Sequence, residues 1–193
     1  MCGPSDACIF GSMRNATGFG HLALTVLALA VVQTLPATTL QMLSVDSMVA
    51  KSTTIVRARP DPVSSFQRAG LIYTSYRLNV SATLKGDSVS SLQVAVPGGD
   101  FQGMHQAVAG SPGLQTGAEY VFFVWSAPSG ANYIVGLSQG LFEVHTNASG
   151  AVVLTRGPAK ANVIDAAGSG VDDRGVTLLL TDLQSKIANG ARP

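Results

Sequence analysis

The chain of 193 residues contains little charge and almost no cysteine. Asp, Glu, Lys and Arg make up 12% of the residues, where about 25% is usual. The net charge is +1 and the basic residues are scattered, so the sequence argues against a nucleic-acid partner. Both cysteines, Cys2 and Cys8, lie at the start of the chain. The remainder therefore has neither a disulfide nor a thiolate metal site.

Motifs that identify catalytic or cofactor sites are also missing. The sequence has no P-loop, no dinucleotide-binding glycine motif and no His-Glu-x-x-His metal motif. The letters Gly-x-Ser-x-Gly occur at Gly136–Gly140, but a hydrolase elbow connects a strand to a helix in a parallel sheet. Here Ser138 lies between two strand-like runs. We therefore expect no enzyme, no metal and no cofactor, with a small secreted hydrolase that uses Ser138 as an alternative.

The start of the chain has the layout of a secretory leader. No Asp, Glu, Lys or Arg follows Arg14 until Asp46, and Leu22–Val32 is an apolar run of eleven residues. A basic start, such a run and a small-residue stretch are typical of a signal peptide, with cleavage expected near Ala37 and an alternative start at Met13. An uncleaved membrane anchor is the competing interpretation, although a spanning helix needs about 20 apolar residues. We expect a secreted, periplasmic or cell-envelope protein that touches a membrane only through an uncleaved leader.

Short strand-like runs separated by Gly and Pro fill the middle of the chain. They are Thr53–Ala58, Leu71–Leu84, Leu92–Val96, Tyr120–Trp125, Tyr133–Leu137, Leu141–His145 and Ala151–Leu154. The long Leu71–Leu84 run predicts a half-buried strand that bends at a bulge, and Tyr120–Trp125 predicts a strand buried on both faces. The fold class expected is mainly β: a small OB-like antiparallel barrel of five to seven strands with a short N-terminal helix and a C-terminal helix.

The boundaries follow from the same patterns. We expect a leader over residues 1–37, the OB-like barrel over 38–156, a loose linker over 157–175 and a C-terminal helix over 176–190. The helix is indicated by apolar residues at helical spacing, which are Leu179, Leu180, Leu183 and Ile187.

Three local expectations can be compared with a structure. Ser44 should cap a helix that ends at Lys51. Pro60-Asp61-Pro62 should end the first strand. Met104–Val108 should return as a strand beside Leu92–Val96.

Candidate binding residues are few. Gln102, His105 and Gln106 form a polar cluster in the glycine-rich segment 98–117 and are the ligand-binding candidates. The aromatic side chains of adjacent strands are expected to pack in the core; they are Tyr120, Phe122, Phe123, Trp125 and Phe142. OB-folds also use surface aromatics to stack bases or sugars, which is the competing interpretation.

Three stretches, in order, carry a resemblance to a known module. They are Met48–Ala58, Leu84-Lys85-Gly86 and Glu119–Phe123. Their layout resembles the OB-fold module of the tissue inhibitors of metalloproteinases and netrin-like domains. It is similar also to uncharacterised bacterial exported proteins. The segments of this chain that carry that similarity contain glycine and proline; they are Pro97-Gly98-Gly99, Gly110-Ser111-Pro112 and Gly136–Gly140.

This resemblance covers roughly Val49–Val144 and implies an OB-like barrel and export. In the inhibitors, an N-terminal cysteine chelates the protease metal, and no residue after the leader matches it. We therefore expect an exported, non-enzymatic barrel that binds a protein partner, either a secreted protease or an envelope component. A sugar-binding or lipid-binding module that uses the barrel face is a further alternative.

Overall fold

The computed structural model describes residues 39–190, which belong to one compact unit. The predicted leader, its cleavage near Ala37 and the alternative start at Met13 lie outside the described residues. These described residues are mainly β, with 49% strand and 14% helix. Neither helix in the described range is long and apolar enough to span a membrane.

Strands dominate the order of elements along the chain. The elements are β1 (Thr39–Gln41), α1 (Val45–Lys51), β2 (Thr54–Arg68), β3 (Leu71–Lys85), β4 (Ser91–Pro97), β5 (Gly99–Phe101), β6 (Met104–Gln106), β7 (Tyr120–Ser126), β8 (Asn132–Ile134), a 3-10 turn (Leu137–Gly140), β9 (Leu141–Thr146), β10 (Val152–Arg156), β11 (Asn162–Ile164), β12 (Val176–Leu179) and α2 (Leu180–Gly190).

Five of these strands close into a barrel. Their order around the barrel is β2-β3-β4-β8-β7, and β7 returns to lie beside β2. All neighbours are antiparallel except β4 and β8, which are parallel. Strand β8 follows β7 in the chain but lies between β7 and β4, which is a Greek-key path of the OB type. The predicted OB-like barrel is confirmed.

Strand β7 joins the barrel to a second layer of sheet. On the edge of β7 that faces away from β2, the first half of β7 pairs with β9 and the second half pairs with β8. Strands β10 and β12 extend the sheet beyond β9. Successive side chains of a strand point to opposite faces. Phe122 therefore packs in the barrel core and Phe123 in a second core beneath α1 and α2. The predicted strand buried on both faces is confirmed.

Both predicted helices are present. Ser44 caps α1 as expected, its hydroxyl accepting from the Ser47 amide, and the helix buries Met48 and Val49. Helix α2 buries an apolar stripe against the second core. It begins at Leu180 and not at residue 176, because Val176–Leu179 completes the sheet as β12 beside β10.

The prediction that Pro60-Asp61-Pro62 ends the first strand is wrong. Strand β2 continues to Arg68 and pairs with β3 along its whole length. Pairing with β7 ends at Ala58, so the prolines lie where β2 is an edge strand, and edge strands tolerate proline. The β2–β3 register shifts at three points, among them Pro62/Ser64, which agrees with the bulge expected in the long Leu71–Leu84 strand.

Two further expectations need correction. Met104–Gln106 forms β6, but it pairs with β5 in a separate hairpin and not with β4, because the turn at Gln102-Gly103 brings β5 closer in the chain. The loose linker expected over 157–175 is ordered: it contains β11, which pairs in parallel with β1. Burial of Val163 and an ion pair at Asp173 stabilise it.

Candidate functional site

The glycine-rich segment folds over one end of the barrel and leaves a groove beneath it. We call segment 98–115 the cap and the space of about 880 Å³ that it shares with the barrel and residues 155–160 the cap groove. Hydrogen bonds hold the cap: Thr74 Oγ1 donates to the Gly98 carbonyl at 2.8 Å, and the Gly110 amide donates to the Lys160 carbonyl at 3.1 Å. The groove is therefore a formed feature of the fold.

Two of the three predicted ligand-binding residues line this groove. His105 and Gln106 are in its lining, whereas Gln102 occupies the exposed hairpin turn with φ +49°. Gln106 already has a structural role, because its Oε1 accepts from the Ile72 amide at 2.6 Å. His105 is exposed, and its Nδ1 lies 2.8 Å from an oxygen of Asp100. The structure thus places two of the three candidates in the lining of the groove and Gln102 in the hairpin turn, and their role in ligand binding stays a prediction.

Ser138 also lines the cap groove, on the 3-10 turn. Turn geometry explains the glycines around it: Gly136 has φ +64°, and a Cβ on Gly140 would collide with the Val135 carbonyl oxygen. The Ser138 hydroxyl is buried and has no hydrogen-bond partner within residues 39–190. The letters Gly-x-Ser-x-Gly therefore reflect a tight turn, with neither of the two described histidines bonded to the hydroxyl.

Arg156, which lines the groove, belongs to a buried ion pair with Asp173. Arg156 and Asp173 each expose 3% of the side chain, and the guanidinium donates to both carboxylate oxygens. The amides of Ala159 and Gly175 donate to the same carboxylate. Burial opposes ionisation of the Asp173 carboxyl, but these hydrogen bonds and the charge of Arg156 outweigh it, so its pKa lies below the ordinary value.

A second surface, outside the groove, is a continuous row of aromatic side chains. Phe66 stacks on Tyr73 with ring centroids 5.5 Å apart, Tyr73 meets Tyr133 edge-on at 6.4 Å, and Tyr133 stacks on Trp125 at 6.2 Å. We call these four residues the aromatic row. Phe66 is 36% exposed and Trp125 is 44% exposed. The expectation that Trp125 packs in the core is therefore wrong, whereas the other four aromatics assigned to the core are buried.

Strand register explains why the row forms. Phe66 lies opposite Tyr73 in the β2–β3 hairpin, and Trp125 lies opposite Tyr133 in the β7–β8 hairpin. Between the two pairs, Tyr133 lies opposite Ala95 of β4. Cross-strand neighbours on one face contact each other, and the small Ala95 side chain leaves room for the two tyrosine rings to meet.

One end of the aromatic row adjoins a shallow depression of about 350 Å³. Trp125 and Tyr133 line it together with Lys51, Ile134, Val135 and Gly136. Lys51 is exposed and makes no ion pair with any residue in the described range. The depression thus combines apolar walls with one cation that is available to an acidic group.

The arginines on the outside of the barrel have a partner within the chain. Arg57 Nη2 lies 2.6 Å and Arg59 Nη2 lies 3.9 Å from Glu119 Oε2, and Ser81 donates to the other oxygen. Burial opposes ionisation of Glu119, but the bonds from Arg57 and Ser81 and the charges of both arginines outweigh it and lower its pKa. These arginines therefore do not form a free anion site.

No group of three or more His, Cys, Asp or Glu side chains in residues 39–190 could hold a metal ion. Comparison of the chain with protein-family models, with curated proteins and with solved structures finds no match.

Sequence analysis missed the aromatic row, although a signal for it exists. Phe66 and Tyr73 are equally distant from the turn at Ala69-Gly70. A hairpin centred on that turn places them face to face. The prolines ahead of Phe66 conceal this hairpin, because prolines at these positions predict the end of a strand.

Proposed function

We propose that this chain is an exported, non-enzymatic OB-like module that binds a protein partner in the cell envelope or outside the cell through its aromatic row. The observation that carries the proposal is the placement of the only tryptophan of the chain on the surface, stacked at the end of a four-ring row. The leader expected from the sequence supports export. Aromatic residues are enriched at protein interfaces and at the sites that contribute most to their binding energy.

Ring geometry favours a protein over a sugar as the occupant. Sugars stack on open ring faces, but here Phe66 covers one face of Tyr73, with their planes 14° apart, and Trp125 is within 28° of Tyr133. The row therefore presents ring edges and the outer faces of its two end rings. Such a surface suits the apolar side chains of a protein segment, which need no array of hydroxyl partners.

Charge beside the row indicates what that segment contains. Lys51 lies in the depression next to Trp125 and lacks an acidic partner among the described residues. A partner segment with an apolar side chain next to an acidic residue would match both features. We infer that the partner, either a secreted protease or an envelope component, presents a segment of this kind.

Capture with matched variants tests the proposal. The full chain carrying a tag is exposed to the secreted and envelope fractions of the producing organism, in parallel with a Phe66→Ser/Trp125→Ser variant. Loss of a central interface aromatic costs at least about 2 kcal/mol, so capture should weaken at least about 30-fold. The control is Leu179→Gln, since Leu179 is exposed to a similar extent, 39%, but lies on β12 outside the row.

Support requires three results: one protein captured by the wild type and the control, lost with the double variant, and bound through a segment that combines apolar and acidic residues in a peptide array. Equal capture by the double variant would contradict the proposal. The alternative hydrolase has less support, because Ser138 has no histidine bonded to it within the described residues. Under that alternative, Ser138→Ala would abolish ester hydrolysis and leave capture unchanged.

A further inference from the structure

An unpaired cation lies at each end of the aromatic row. At one end, Lys51 lines the depression that it shares with Trp125 and Tyr133. At the other end, Arg68 follows Phe66 by two positions on β2, and alternate residues of a strand lie on the same face. Both cations are exposed, and neither makes an ion pair with any described residue. The row is therefore an apolar strip with a positive charge at both ends.

The turn of the β2–β3 hairpin fixes the place of Arg68. Arg68 lies opposite Leu71, and the two residues between them, Ala69 and Gly70, have φ of +51° and +78°. Positive φ at both central residues is characteristic of the type I′ turn, whose twist matches that of the flanking strands. No register shift separates Phe66 from Arg68. The cation therefore stays on the face of the hairpin that carries the row.

The acidic residues of the neighbouring elements leave these cations free. Asp61, the one acidic residue of β2, is seven positions from Arg68, about 23 Å along an extended strand. Asp100, the one acidic residue of the cap, is paired with His105. The depression around Lys51 has no acidic residue in its lining. Both ends of the row can therefore attract a negative group.

The length of the row sets the size of a matching segment. Its three ring-to-ring steps of 5.5, 6.4 and 6.2 Å make it at most about 18 Å long. An extended chain advances about 3.3 Å per residue, so about five or six residues span the rings. Acidic residues at the two ends of such a stretch would reach the two cations.

A second copy of this chain does not match the row. It carries the same two cations, so a face-to-face contact of two rows places cation against cation whichever way the rows run. Like charges opposed across an interface cost free energy and suppress the wrong partner. The charge pattern therefore favours a different, acidic protein.

We propose that the aromatic row binds an extended segment of a protein partner that has an acidic residue at each end of an apolar stretch of about five residues. One acidic group pairs with Lys51 and the other with Arg68, while the apolar side chains between them contact the rings. This inference rests on the function proposed above, and it adds the second charge and the spacing of the two.

The test uses two synthetic peptides and the full chain. The first peptide has glutamate at each end of five alternating threonine and valine residues, so that both glutamates and the valines share one face when it is extended. The second has lysine in place of each glutamate. Binding is followed by the fluorescence of Trp125, the only tryptophan of the chain.

Charge-reversal variants identify the contacts. An exposed ion pair is worth up to about fivefold in affinity, and reversal adds repulsion to that loss. Lys51→Glu and Arg68→Glu should therefore each weaken binding of the glutamate peptide about fivefold or more, and the double reversal should prefer the lysine peptide. Lys160→Glu is the matched control, because Lys160 is also exposed and without an ion pair among the described residues but lines the cap groove.

The expected result is saturable binding of the glutamate peptide by the wild type and by Lys160→Glu, with weaker binding by each reversal at the row. Absence of that binding in the wild type, full binding by the reversal variants, or no gain of the lysine peptide by the double reversal overturns the inference. Thermal unfolding of each variant without peptide shows that the fold is retained.

The capture experiment separates this inference from the proposed function. Capture that is lost with Phe66→Ser/Trp125→Ser but kept by Lys51→Glu/Arg68→Glu retains the proposed function and removes this inference. Capture that survives the loss of the two aromatics removes the proposed function itself. Binding of the wild type to phosphatidylglycerol vesicles, and not to the glutamate peptide, would assign the row to a membrane surface and overturn both.

Discussion

Replacing Asp173 by Asn should destabilise the protein strongly, because it breaks the buried ion pair between Asp173 and Arg156. The carboxylate accepts four hydrogen bonds, two from Arg156 and one each from the Ala159 and Gly175 amides. Asn keeps one acceptor oxygen and turns an amide donor toward groups that are donors themselves. Both side chains are only 3% exposed, so Arg156 would remain as an uncompensated buried charge. Breaking a buried pair in this way costs about 3–5 kcal/mol.

Urea denaturation of the full chain measures this cost, and a matched control lies one residue away. Asp172 pairs with Arg174 at 3.5 Å, but both side chains are more than 80% exposed, so Asp172→Asn should change the stability by at most about 1 kcal/mol. For a domain of this size, the Asp173→Asn loss corresponds to a fall in Tm of roughly 6–20 °C. A loss below about 1 kcal/mol for Asp173→Asn, similar to the control, would refute the assignment of this pair as a structural anchor.

Three further predictions concern stability. Gln139→Leu should cost about 2–4 kcal/mol in urea denaturation, because it leaves the Leu43 amide and the Gln41 carbonyl without the buried Gln139 side chain that bonds both; an unchanged midpoint would contradict this. Lys85→Met should lower the free energy of unfolding by about 1–3 kcal/mol, since the ammonium donates to two backbone carbonyls at the end of α1. The helical signal in circular dichroism should therefore be lost at a lower temperature than in the wild type. The pKa of Asp173 is lowered in the fold. The ionised carboxylate therefore contributes to the free energy of unfolding above its unfolded pKa of about 3.9, and this contribution is lost as the pH falls through the folded pKa. The wild type and Asp173→Asn should therefore converge in stability in acid and differ at neutral pH; a constant difference down to the lowest pH would contradict the cause given.

The barrel could be predicted from the sequence because its strands carry strong local signals. Alternation in Leu71–Leu84 and the apolar run Tyr120–Trp125 reflect burial on one face and on two faces. Ser44 and the apolar spacing after Leu179 marked the two helices. Each of these signals depends on residues within a few positions of one another, and each corresponds to an element in the structure.

Long-range pairing decided the parts that could not be predicted. Pro60 and Pro62 end a strand in most contexts, yet here they lie on a free edge, which depends on where β7 stops. Val176–Leu179 joins the sheet only because β10 offers an open edge. The order of residues 157–175 depends on the contact of Asp173 with Arg156, 17 positions away.

The two candidate sites also depend on long-range contacts that the local sequence does not predict. The aromatic row requires two hairpins to meet across Ala95, and no local pattern records that meeting. His105 and Gln106, two of the ligand-binding candidates predicted from the sequence, line the cap groove. The buried Ser138 hydroxyl and the ion pair of Arg156 with Asp173 depend on the fold, and no local pattern predicts them.

The central claim, that the aromatic row contacts a protein partner, can be tested at a single atom. The chain has one tryptophan, so incorporation of 5-fluorotryptophan gives one fluorine resonance, which reports on Trp125. Adding the protein recovered in the capture experiment should shift or broaden this resonance in the wild type and in the Leu179→Gln control. A resonance that stays unchanged while the complex forms would contradict the account, because the partner would then be bound somewhere other than the aromatic row.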